Sequence, residues 1–174
     1  KADAQAATVA VAKARAAAKE KLARAEELKL FAVADEKIKV AVEFLVTTQE
    51  GDPKAEWPYE GVYRVRGIIP IGYRVGGTSL TALAVVQSPG YAESAERQAA
   101  IARATTFVTE SVEHPLMTSK KIPGSYDVRG WGYTCGLSYL LRLEKLDRVP
   151  EGQEQAVKDA IKAYIAAIET TEIV

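Results

Sequence analysis

Ala41-Val42-Glu43-Phe44-Leu45-Val46-Thr47-Thr48-Gln49-Glu50 decides how this chain is read, because two later stretches follow the same plan. Residues 104–113 (ATTFVTESVE) and 163–172 (AYIAAIETTE) each carry an apolar helical stripe closed by a turn rich in Thr or Glu. After each of the first two copies comes an irregular stretch with a Trp and glycines, and then a second helix. Trp57 and Gly76-Gly77-Thr78 stand in the first copy, Gly130-Trp131-Gly132 in the second, and the sequence stops soon after the third. A helix–loop–helix unit of this size cannot bury its apolar stripe alone, so neighbouring units must stack. The alternative is a bundle whose outer helices look alike through amphipathic chance.

Working outward, residues 2–31 are alanine-rich with scattered Lys, Arg and Glu and hold neither Gly nor Pro, which predicts a long helix. Asp35 reads as the N-cap of a helix over 36–49, stopped by Gly51 and Pro53. Residues 52–75 read as a long connection in which 62–65 and 68–71 pair as a small hairpin around Arg66-Gly67. Thr78 reads as the cap of a helix over 79–87, ended by Pro89-Gly90. Helices are expected over 92–113, closed by His114-Pro115, over 132–145 and over 151–171. The last has the cleanest stripe: Val157, Ala160, Ile161, Tyr164, Ile165 and Ile168. The fold class is therefore all-α: tandem helical hairpins with long loops. The organisation is an N-terminal helix over 1–34 and a repeat domain over 35–174, in units of about 36–90, 91–149 and an incomplete 150–174.

Composition narrows the function. With 174 residues, 23 basic against 23 acidic side chains and 48% hydrophobic content, the chain suits one ordinary domain rather than a disordered segment. No apolar run approaches the roughly 20 residues that a bilayer-spanning helix needs, so a soluble protein is expected. Cys135 and His114 are the sole residues of their types, which argues against a disulfide framework and a cysteine zinc site. Neither a metal nor a cofactor is expected, and the balanced charge gives nucleic acid no basic excess to meet. No leucine-rich signal core lies in the first thirty residues, although an alanine-rich start suits a mature exported chain that has lost a leader.

Phe44-Leu45-Val46-Thr47-Thr48-Gln49-Glu50-Gly51-Asp52, followed by Trp57, resembles the outer-helix ending and Q-x-x-x-G-x-W element of the squalene-cyclase and prenyltransferase repeat superfamily. Gly76-Gly77-Thr78-Ser79-Leu80 and its Ala/Leu continuation are similar to that superfamily's inner helices, as is Gly130-Trp131-Gly132-Tyr133 through Leu143. The resemblance covers about residues 36–174 and implies a partial α/α-toroid, in which inner helices surround a cavity and outer helices wrap them. It does not carry the family's activities across. The cyclases use an aspartate-rich D-x-D-D-type motif, whereas Ser125-Tyr126-Asp127-Val128-Arg129 has one carboxylate. The protein prenyltransferases hold zinc through Asp, Cys and His, and that constellation is not apparent.

Two clusters carry the candidate chemistry. Arg64, Arg66 and Arg74, with Tyr63 and Tyr73, precede Gly76-Gly77-Thr78, where free N–H groups at a helix start would add to the attraction for an anion. Trp57 and the tyrosines would form aromatic walls. The structural alternative is that these arginines pair with Glu56, Glu60 and outer-helix acids to hold a long loop down. The second cluster is Asp127, Arg129, Trp131 and Tyr133. Asp127 would serve as general acid or base if desolvation raised its pKa; otherwise it caps a turn before Gly130. Trp57 and Trp131 also read as wedges between hairpins, and Cys135 as a buried, inert thiol. His114 reads as an imidazolium near terminal carbonyls. The leading expectation is a binding or structural repeat domain that offers an aromatic, arginine-lined concave face to an anionic or aromatic small ligand or to a protein partner. The competing expectation is a toroid-type enzyme acting through Asp127 on a small organic, prenyl-like or carbohydrate-like substrate. Open ends of a short repeat array also predict self-association.

Overall fold

The computed structural model describes residues 2–59, 61, 64–118 and 128–171, with backbone alone at 2–12, 14 and 30. Tyr63 and Asp127, together with Glu60, Lys120, Lys121 and the loop residues Ser125 and Tyr126, lie outside the described residues. Five α-helices follow one another: α1 (Ala2–Thr47), α2 (Ile71–Gln87), α3 (Ala95–Ser111), α4 (Arg129–Lys145) and α5 (Glu154–Thr171). A 3-10 turn at Pro115–Met117 precedes α4. Among the described residues there is no strand, and two isolated antiparallel bridges, Glu50 with Glu56 and Val65 with Ile68, are the extended pairings. The all-α class is thus the observed one.

By contacts the chain divides into Lys1–Val40 and Ala41–Val174. The first unit is helix throughout its described length, and every described side chain from Lys13 to Val40 is exposed. Asp35 does not start a second helix, because α1 runs through it without interruption. No Gly or Pro separates the alanine-rich segment from Ala41, so the backbone has nothing to break it, and one interior Asp costs only a few tenths of a kcal/mol.

The second unit holds the core. Helices α2 and α4 share its most extensive helix–helix interface; α3 packs on α2, α5 packs on α4, and α3 meets α5. Val42 and Val46 bring the end of α1 into the same cluster as Val75, Ala82, Val85, Ile101, Val108, Tyr139, Leu140, Leu143 and Val157. Val42, Thr105 and Tyr164, which the expected repeat alignment superimposes, are all buried.

Helix α2 begins at Ile71, after Pro70, seven residues before Thr78, the expected cap. Thr78 is instead an interior, fully buried helix residue whose Oγ1 accepts the Trp57 N–H at 2.9 Å. Gly72, Gly76 and Gly77 read as helix breakers, yet all three are helical because packing overrides propensity. A Cβ on Gly72 would lie 2.2 Å from the Val128 carbonyl oxygen, and one on Gly132 of α4 would lie 3.2 Å from the Gly72 Cα and 2.7 Å from the Met117 methyl. The two backbones therefore approach where neither helix has a side chain. α3 and α5 start later than expected; Ser94 caps α3 by accepting the Arg97 N–H at 3.3 Å. In the 65–68 turn, Arg66 and Gly67 both have positive φ, and Val65 and Ile68 exchange N–H···O bonds of 2.9 and 3.0 Å. This pairing suits a primed two-residue turn. Ile71, assigned by sequence to that hairpin, belongs to α2.

Three tyrosines tie the core together through their hydroxyls. Tyr139 shares a 2.7 Å bond with Thr105, Tyr164 donates to the Val108 carbonyl at 2.7 Å, and Tyr133 donates to the Met117 carbonyl at 2.5 Å. Burial raises the phenols of Tyr139 and Tyr164 well above 10.0; the Thr105 bond partly offsets the rise at Tyr139, whereas the neighbouring Tyr133 adds to it at Tyr164. Tyr91 is raised by burial as well, against the lowering influence of Arg148.

Two outcomes follow from this packing. Gly72 and Gly130 are both the second residue of their helix, but nothing lies within 4 Å of a Cβ on Gly130. Gly72→Ala should lower unfolding free energy by about 3 kcal/mol through overpacking, and Gly130→Ala should leave it unchanged or raise it by up to about 1 kcal/mol, as read by urea melts followed by circular dichroism. Equal effects of the two substitutions would contradict the close crossing. For the raised phenols, the protonated form is the one that the fold favours, so their contribution is fully present below pH 10 and is lost as pH climbs through the higher folded values. The melting temperature should therefore fall above about pH 10, with tyrosinate absorbance and loss of helical signal rising in one step; tyrosinate forming fully in the intact helical protein would contradict it.

Candidate functional site

The chain reversal after α1 builds the site. Glu50 and Glu56 exchange backbone bonds of 2.8 and 3.0 Å around the turn at Gly51–Lys54. This carries Trp57 back against the end of α1, where its indole N–H donates to the Leu45 carbonyl at 2.7 Å. The loop then runs so close to α2 that a Cβ on Gly77 would lie 2.6 Å from the Trp57 carbonyl and 2.7 Å from the Tyr59 nitrogen. Gln49, buried nearby, donates to the Ala100 carbonyl at 3.0 Å and accepts from Arg103 at 2.6 Å, fixing the same corner to α3.

A groove of about 430 Å3 opens between this loop and the first turns of α2 and α4. Its aromatic lining is Trp57, Tyr59, Tyr73 and Trp131, and Leu45, Pro58 and Leu80 add aliphatic surface. Trp57 and Tyr73 are buried and make the floor, while Tyr59 and Trp131 are about half-exposed and form the rim. Tyr73 sits between its neighbours: its ring centroid is 6.3 Å from that of Tyr59 at 65° and 6.1 Å from that of Trp131 at 57°. Thr48, Glu50 and Thr81 are the polar side chains in the lining, and no Lys or Arg contributes among the described residues. The volume lies within the range of small-molecule sites.

The groove brings together Trp57, Tyr73 and Trp131, which sequence placed in two separate clusters. It does not gather the others. Arg74 forms a two-pronged pair with Glu56, at 2.7 Å from Nε and 2.5 Å from Nη2, and its guanidinium lies 5.5 Å from the Phe107 ring centroid. The Glu56 hydrogen bonds raise the Arg74 pKa against desolvation. Arg64 is exposed, and it lines with Arg74 a neighbouring hollow that also contains Glu50 and Glu56, so acids balance bases there. Arg66 occupies an exposed turn. The helix start expected at Gly76–Thr78 lies inside α2, and its N–H groups are therefore not available for an anion.

In the second cluster, Arg129 is buried and donates to the Thr118 carbonyl. Tyr133 is 1% exposed and packs against Tyr164, so burial closes it to a ligand. Trp131 is not a core wedge: it is 50% exposed, whereas Trp57 is 6% exposed. Laying α4 over α2 from their first residues pairs Trp131 with Tyr73, not with Trp57. The proposed acid–base residue, Asp127, lies outside the described residues, as does Tyr63. His114 Nδ1 accepts the Leu116 N–H at 3.1 Å and so caps the 3-10 turn at Pro115–Met117. The half-buried Cys135 thiol is raised by burial, with Thr134 opposing, away from nucleophilic chemistry.

Sequence reasoning missed Tyr59, Leu80 and Glu50. A signal for Leu80 was present: like Trp131, it is a large apolar residue off the buried stripe of its helix, the stripes being Val75-Thr78-Ala82-Val85 and Gly132-Gly136-Tyr139-Leu143. Such residues mark a surface with a use. Among the described residues no group of three or more His, Cys, Asp or Glu is placed to hold a metal, and no helix is long and apolar enough to cross a membrane. No family model matches the chain, and neither a curated protein nor a solved structure matches it.

Proposed function

We propose that this chain is a repeat-type binding domain whose ligand seats in the aromatic groove between the Trp57 loop and the first turns of α2 and α4. The observation that carries the reading is the pair of half-exposed rings, Tyr59 and Trp131, held on either side of buried Tyr73. Leaving that much aromatic surface in water is unfavourable, and a ligand that covers it recovers the hydrophobic and ring-contact free energy. The arrangement of α2 beside α4, with α3 and α5 packed behind them and meeting each other, supports a partial α/α-toroid with the groove near its inner helices. The matched burial of Val42, Thr105 and Tyr164 supports stacked repeat units. Asp127, on which the competing acid–base reading rests, lies outside the described residues.

Titration with N-phenyl-1-naphthylamine, a neutral apolar fluorophore, tests the groove. Saturable fluorescence with energy transfer from the tryptophans is expected, and Trp131→Ala should weaken binding by about fivefold while leaving helical content unchanged. Unaltered affinity in both Trp131→Ala and Leu80→Gln would refute the assignment.

The exposed apolar residues Leu22, Leu28, Phe31, Val33, Ile38 and Val40 of the N-terminal unit support a second role, contact with a protein partner or with another copy. Self-association should appear as a concentration-dependent rise in scattering mass, and a strictly monomeric protein at high concentration would contradict it.

A further inference from the structure

We propose that the groove selects a small quaternary-ammonium compound, a trimethylammonium cation of the choline type, over neutral molecules of the same shape; this rests on the groove being the binding site. The inference starts from what the lining leaves available for recognition. Trp57 Nε1 already donates to the Leu45 carbonyl, and Thr48 Oγ1 donates to the same carbonyl at 2.9 Å. Two polar donors of the groove are thus turned inward, which leaves fewer groups for sugar hydroxyls or an anion to seek. The rest of the lining, Thr81 apart, is electron-rich: aromatic surface and Glu50.

Ring orientation sharpens the choice. Tyr59 and Trp131 stand at 65° and 57° to Tyr73, so the three rings make corners rather than a parallel stack. A flat aromatic ligand or a pyranose ring covers one face at a time. A roughly spherical cation with methyl groups touches several faces together, and each ring quadrupole attracts it. Methyl groups also bury against Leu45, Pro58 and Leu80, which a strongly hydrated primary ammonium would not do.

The charge balance favours the same sign. No basic side chain lines the groove among the described residues, and Arg74, one of the two arginines of the adjoining hollow, has its guanidinium paired with Glu56. Glu50 stands exposed at the groove edge and supplies the long-range attraction.

Tryptophan fluorescence and calorimetry on the full chain test this with choline, its neutral tert-butyl isostere, phosphatidylcholine vesicles and the naphthylamine probe. Choline should bind about tenfold more tightly than the isostere, Trp131→Leu should abolish that preference, and Glu50→Gln should weaken choline about threefold without changing the naphthylamine affinity. Equal binding of choline and isostere overturns the cation assignment while the groove stands as a binding site. Failure of all four probes overturns both readings. Association with the vesicles alone overturns the assignment to a free small molecule, because the headgroup would then be the ligand.

Discussion

The close crossing of α2 and α4 at Gly72 and Gly132 is the constraint on which the rest of the second unit depends. A Cβ on Gly72 would collide with the Val128 carbonyl that leads into α4, and one on Gly132 would press on the Met117 side chain and stand 3.2 Å from the Gly72 Cα. At that separation Val75, Ala82 and Val85 of α2 and Tyr133, Leu140 and Leu143 of α4 enter one apolar cluster. The crossing also sets Tyr73 beside Trp131, since each lies one residue past a helix's second position. A wider separation would forfeit both the dispersion contacts and the ring corner.

The site is a consequence of the same geometry joined to one loop. Trp57 reaches the groove because the Glu50–Glu56 bridge reverses the chain, and Glu56 is fixed in turn by the Arg74 guanidinium from α2. The pair is partly buried and two-pronged, a geometry that adds orientation as well as attraction. Arg74 therefore acts on the groove indirectly, by holding its wall. The sequence reading placed arginines in the ligand face; for Arg74 its structural alternative, pairing with Glu56, is what the side chain does.

Local periodicity explains why some features were legible. The stripes of α3 and α5, and the short stretch Ala41–Glu50, follow a helical period that local propensity and water alone enforce, so their buried faces could be read directly. Trp57 and Trp131 were read as equivalent because each stood near glycines. Their surroundings differ since equivalence is set by position along the packed helix, and Tyr73 holds the place that matches Trp131. Residue type misled where register would have served.

Sequence by itself determined the helical class, the approximate span of three of the five described helices, the absence of a basic surplus for nucleic acid, and the aromatic character of the loops. These depend on period, composition and breakers, all of which are local. Tertiary structure decided where α2 begins, that α1 passes through Asp35 unbroken, and which rings share a cavity. Glycines that local rules count as breakers become helical when a second backbone must come close. Aromatic residues distant in the chain meet only once the loop reversal and the helix crossing are both in place.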